Sequence, residues 1–133
     1  MNWPLFVAGL VMLMGATLHA VVGDDVLRKI GLLQLPPNPF GTQADTRVAL
    51  RITWHFGTIA FAFAGAWLVA AGLRPEAAFA VGAAYFCGTL LSCYGLVAGS
   101  VRIYRHGLGS LAKQPAVILI VSAVLVWWGS ASL

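Results

Sequence analysis

Residues 52–73 read ITWHFGTIAFAFAGAWLVAAGL, a run without Asp, Glu, Lys or Arg. A helix rising 1.5 Å per residue needs about 20 apolar positions to cross the hydrocarbon of a bilayer. Working outward, three more charge-free runs cover 1–23, 77–101 and 114–133. Only 9% of the 133 residues are charged, 60% are hydrophobic, and the mean hydropathy is +0.88. An ordinary soluble domain is about 25% charged, so this chain lacks the ionic groups to cover a globule. Disorder requires the opposite balance. The expected fold class is therefore all-α, a polytopic membrane protein. It is one integral domain over 1–133, an antiparallel bundle of four transmembrane helices at about 4–23, 46–73, 76–105 and 115–131.

The ends of these helices follow from local chemistry. Pro4 suits a first turn, where its missing N–H costs nothing. The first run is expected to be retained as a helix and not removed as a signal peptide: Met1 to Pro4 hold no Lys or Arg, and the apolar stretch outlasts a usual h-region. After Gly23, Asp24 or Asp25 can cap a second, short helix. Val26, Leu27 and Ile30 fall opposite Asp25, Arg28 and Lys29, which predicts an amphipathic interfacial helix at about 25–34. Three prolines at 36, 37 and 39 force a turn or extended return. Asp45 or Thr46 can cap helix 2. Arg74-Pro75-Glu76 makes a short connection, so helices 2 and 3 are expected to be neighbours. Helix 3 is expected to end at Gly107 or Gly109.

Arg28, Lys29, Arg47 and Arg51 lie between helices 1 and 2, and Arg102, Arg105 and Lys113 between helices 3 and 4. Only Arg74 lies between helices 2 and 3. The positive-inside rule makes the basic side cytoplasmic and puts both termini outside. The net charge of +4 is thus local and points to anionic lipid headgroups, not to nucleic acid. Trp3, Trp67, Trp127 and Trp128 fall at the outer interface, and Trp54, Tyr94 and Tyr104 at the inner one, as aromatic belts do.

Helices associate in lipid through close packing, which small residues permit. Helix 3 carries such a stripe in Ala84, Gly88, Ser92, Gly95 and Gly99. Helix 2 carries Ala62, Ala66 and Ala70 on one row, with Ala60 and Ala64 on another. The plain reading is packing of helices 2 and 3; the sharper one is a face for another subunit. Helix 4 has few small residues over 117–126 and is expected to be the most lipid-exposed, or to meet a bulky partner.

His19, near the end of helix 1, and His55, near the start of helix 2, both fall at the edge of the hydrocarbon. An ionisable group there is costly and usually faces the bundle interior with a partner. Two neutral imidazoles on adjacent helices can hold a haem iron or a transition metal. The commoner fate is a satisfied hydrogen bond near the interface; a proton relay or quinone contact is a third. His106 reads as solvated. Arg47, Arg51, Arg102 and Arg105 are candidate lipid-phosphate contacts. Alternatively they make an anion or quinone-headgroup site between helices 2 and 3, with Arg51 the strongest member. Cys87 and Cys93 are six apart, about 120° around a helix, which excludes a mutual disulfide there. They match neither CxxC nor a zinc pattern. The four runs hold no carboxylate, and the chain has no GxSxG, phosphate loop or HExxH.

The segments Leu18-His19-Ala20-Val21-Val22-Gly23-Asp24-Asp25 and Arg47-Val48-Ala49-Leu50-Arg51-Ile52-Thr53-Trp54-His55 resemble a loosely defined group of small four-helix bacterial membrane proteins. That group pairs a His near the end of helix 1 with Arg-x-x-Trp-His at the start of helix 2. The likeness covers about the first half of the chain. Members often carry Glu-Arg after the glycine, where this chain has Asp24-Asp25. The resemblance implies that His19 and His55 act as one unit, and it implies no activity. The expected function is a small accessory or scaffold subunit of a bacterial inner membrane. It packs with itself or a larger complex and has no catalysis of its own. The alternatives are a redox module binding haem, metal or quinone through His19 and His55, and a small channel or transporter.

Overall fold

The computed structural model describes residues 1–31, 41–107, 109 and 115–133. The described chain is helical: α1 (Trp3–Gly31), α2 (Gln43–Leu73), α3 (Ala78–His106) and α4 (Pro115–Ser130). Three of these are long and apolar enough to cross a membrane, over Trp3–Lys29, Gln43–Leu73 and Ala78–His106. Helix α4 has 16 residues, about 24 Å of rise, which is short of the roughly 30 Å of a hydrocarbon core. The helices pack as two compact units, one of Met1–Leu13 with Ala64–Leu133, the other of Met14–Phe63.

The first unit is built on close approach. On α2 the buried positions are Ala64, Gly65, Leu68, Ala71 and Gly72. The Ala62, Ala66, Ala70 row expected from spacing is not among them. A Cβ at Gly72 would strike the Phe6 backbone, and one at Gly9 would lie 2.6 Å from the Val69 nitrogen. Gly65 faces Leu13 in the same way. Asn2, 7% exposed, fastens this unit. Its Oδ1 accepts from the Leu5 N–H at 3.3 Å, an N-cap bond. Its side-chain amide donates to the Gly129 carbonyl at 2.8 Å and to Ser132 Oγ at 3.2 Å. Its backbone N–H donates to the Gly72 carbonyl at 2.7 Å.

The stripe on α3 is largely buried: Ala84, Gly88, Gly95 and Gly99 are covered, and Ser92 is half-buried. Its main neighbour is α4, which corrects the expectation of helix 2. A Cβ on Gly88 would meet Trp127 at 3.1 Å and Val126 at 3.2 Å, and one on Gly95 would meet Ile120 at 3.1 Å. Bulky α4 side chains thus fill the notches that glycines leave. Helix α4 buries its own Ser122, Ala123 and Val126 in return, while Ile118, Val121, Val124 and Trp128 stay exposed. Trp127 Nε1 donates to Ser92 Oγ at 3.1 Å, and Ser92 in turn donates to the Gly88 carbonyl at 2.8 Å. Contact with α2 comes one row over, where the buried Cys87 thiol points to the Ala64 carbonyl at 3.8 Å. Gly107, with φ of 74°, closes α3 by donating to the Ile103 carbonyl. This is the glycine stop expected there.

In the second unit α1 does not end at Gly23, and residues 25–31 do not form a separate helix. They continue α1 to Gly31. Asp25 and Lys29 pair at 2.6 Å across one turn instead of capping. Arg28 and Lys29 sit in the last turn, where cations complement the helix dipole. Residues 32–34 of the expected interfacial helix and the prolines at 36, 37 and 39 lie outside the described residues. The cap of α2 is Thr42, not Asp45 or Thr46. Thr42 Oγ1 accepts from the Asp45 N–H at 3.4 Å, and Asp45 Oδ2 accepts from the Thr42 N–H at 2.6 Å. This reciprocal pair is a capping box with Asp in place of Glu.

Candidate functional site

His19 comes from α1, four residues before Gly23, and Trp54 and Thr58 come from α2, one turn apart. The imidazole stacks on the Trp54 indole with centroids 4.3 Å apart and planes at 9°. Phe61 presents its edge to the same ring at 5.9 Å. Trp54 Nε1 donates to the His19 carbonyl at 2.9 Å, so the indole holds both backbone and side chain of one residue. Gly23 is buried because the indole lies where its Cβ would be. Gly57 approaches from α2, where a Cβ would sit 3.6 Å from His19 Cε1.

His19 Nδ1 lies 2.9 Å from Thr58 Oγ1. The Thr58 hydroxyl also lies 3.4 Å from the Trp54 carbonyl, and as both donor and acceptor it can serve either tautomer of the ring.

His55 has a different partner. Its Nε2 lies 3.5 Å from Asp24 Oδ1, the same oxygen that accepts from Arg51 Nη2 at 3.1 Å. The two histidines thus have different direct partners, His19 with Thr58 and Trp54, His55 with Asp24. Among the described residues no group of three or more His, Cys, Asp or Glu side chains is arranged to hold a metal ion. Arg51, the strongest member of the expected anion site between helices 2 and 3, has Asp24 on α1 as its partner. Arg47 and Arg105 are exposed, and Arg102 is half-buried with its Nε unpartnered among the described residues. Cys87 and Cys93 are free thiols, the first buried and the second exposed.

Sequence reasoning found His19, His55 and Arg51 but missed Thr58 and the role of Trp54. The signal was present: Thr58 and Trp54 follow each other at helical spacing, and Gly23 follows His19 by four.

The fold and site define a helical protein with three membrane-length apolar helices. Its polar groups on α1 and α2 cluster where their charge-free runs meet charged residues. No protein-family model matches the chain, and no curated protein or solved structure matches it.

Proposed function

We propose that the protein is a small integral membrane subunit, an antiparallel four-helix bundle of a bacterial inner membrane with both termini outside. In this reading it serves as an accessory or scaffold piece, packing with itself or with a larger membrane complex, without catalysis of its own. The observation that carries the reading is an inverted size gradient. The buried positions are rich in Ala8, Ala16, Ala64, Ala71, Ala80, Ala83, Ala84 and Ser122, while Phe56, Trp128, Val21 and Leu96 are 73%, 67%, 68% and 68% exposed. In water that arrangement exposes the wrong surface; in lipid, small residues bring helices together and large apolar ones face the tails. Antiparallel order is supported by the pairing of Gly72 with Phe6 and Gly65 with Leu13, and of Gly88 with Val126 and Gly95 with Ile120. Alkaline carbonate washing of membranes is expected to leave the protein in the pellet, and mild-detergent native gels are expected to show a homo-oligomer or one stable complex. Release by carbonate overturns the membrane reading. A bare monomer with no co-purifying protein overturns the scaffold reading.

The contact between His19 Nδ1 and Thr58 Oγ1 favours a second reading, a cofactor site. A ligating imidazole typically donates its other N–H to a protein acceptor, a part the Thr58 hydroxyl can play. This reading uses His19 alone, since His55 is paired with Asp24. An absorption spectrum of protein from cofactor-replete cells is expected to show a Soret band that His19→Ala removes; a flat spectrum with no bound metal rejects it.

A further inference from the structure

Val48, Arg51, Ile52, His55, Phe56 and Ile59 line an open groove of about 370 Å³. Their spacing puts them on one face of α2, and from first to last they span about 16 Å of helix. The atoms that line it are almost entirely apolar. Arg51, whose side chain is 59% exposed, borders it next to the point where the charge-free run 52–73 begins. Arg47 precedes Arg51 by one turn on the same face.

We infer that this face of α2 binds one anionic phospholipid, with its phosphate on Arg51 and an acyl chain along Ile52, Phe56 and Ile59. The inference rests on the membrane reading above. In that reading the cationic end lies at headgroup depth and the apolar remainder points into the hydrocarbon, the polarity of a lipid and not of a uniformly apolar partner helix. Arg51 is already oriented for the task. It spends one of five guanidinium donors on Asp24 and keeps the others for a phosphate, which it can take in bidentate fashion. Asp24 therefore fixes the fork while offsetting part of its charge. Phe56, 73% exposed, and Ile59, 67% exposed, give the chain its contact surface.

Native mass spectrometry of detergent-released protein tests this, with dioleoyl phosphatidylglycerol and dioleoyl phosphatidylcholine titrated separately. One phosphatidylglycerol is expected to bind about tenfold more tightly than phosphatidylcholine. Arg51→Gln is expected to abolish the preference, Arg51→Lys to keep part of it, and Arg74→Gln to leave it intact. Phe56→Ala is expected to weaken the dioleoyl lipid more than a dihexanoyl one. Equal affinity for the two headgroups, or a preference that survives Arg51→Gln, overturns the site. So does a photo-crosslinker at Phe56 that captures protein instead of lipid in native membranes. Carbonate extraction separates the two failures: a protein that stays in the pellet but shows no preference loses only this site, and a released protein loses the membrane reading as well.

Discussion

His19 shows how much a single ring can be constrained. Trp54 stacks on it and binds its carbonyl, Thr58 holds its Nδ1, and Gly23 makes room for the indole. Trp54→Phe keeps an aromatic face but loses the bond to the His19 carbonyl, so it is expected to cost about 1 kcal/mol. Thr58→Val keeps the shape and leaves Nδ1 without its hydrogen-bond partner, with a similar expected cost. Detergent-based unfolding curves measure both, and nitrogen NMR of labelled histidine is expected to show a shifted Nδ1 resonance in Thr58→Val. At this scale the sequence was half legible. A histidine at the edge of an apolar run announces that it needs a partner, and the partner's type follows from physics. Its identity does not, because the Trp that sits at interfaces as a belt residue is indistinguishable, by position, from one that holds a neighbouring helix.

Helix existence was readable from charge-free length; helix ends were less so. Asp24 and Asp25 carry the composition of a cap, yet α1 runs through them. A helix whose glycine is pinned under an indole and whose next turn has an Asp25–Lys29 pair has no reason to stop. Thr42 was hidden for the opposite reason: its acceptor, Asp45, is itself a good cap, and only geometry shows which of the two is outside the helix. Thr42→Ala is expected to speed amide exchange over 43–46 about fivefold, the equivalent of a lost N-cap, as read by hydrogen–deuterium exchange. Glycines on α3 should divide by surroundings. Gly95→Leu and Gly88→Leu force side chains into Ile120 and Trp127 and are expected to destabilise by roughly 1–3 kcal/mol or more. Gly82→Ala, with nothing within 4 Å of its Cβ position, is expected to be neutral or to stabilise by up to about 1 kcal/mol. SDS-unfolding midpoints distinguish the two classes.

For the whole molecule, the charge distribution makes a topological prediction. Single cysteines introduced by Arg28→Cys and Arg105→Cys, in a chain with Cys87 and Cys93 replaced by Ser, are expected to react with impermeant maleimide only from the cytoplasmic side. Those from Glu76→Cys and Ala131→Cys are expected to react only from the other. The class of the fold was legible because scarcity of charge is a global property. The division into two units was not, because it depends on which small residues meet, and spacing offers several rows that serve equally well. The Asn2 amide adds a consequence for biogenesis. Its acceptor, the Gly129 carbonyl, lies 127 residues further along, so while the ribosome is still working that amide has no destination. The clasp closes only after all four helices have been made. A chain cut short before Gly129 leaves that donor without this acceptor.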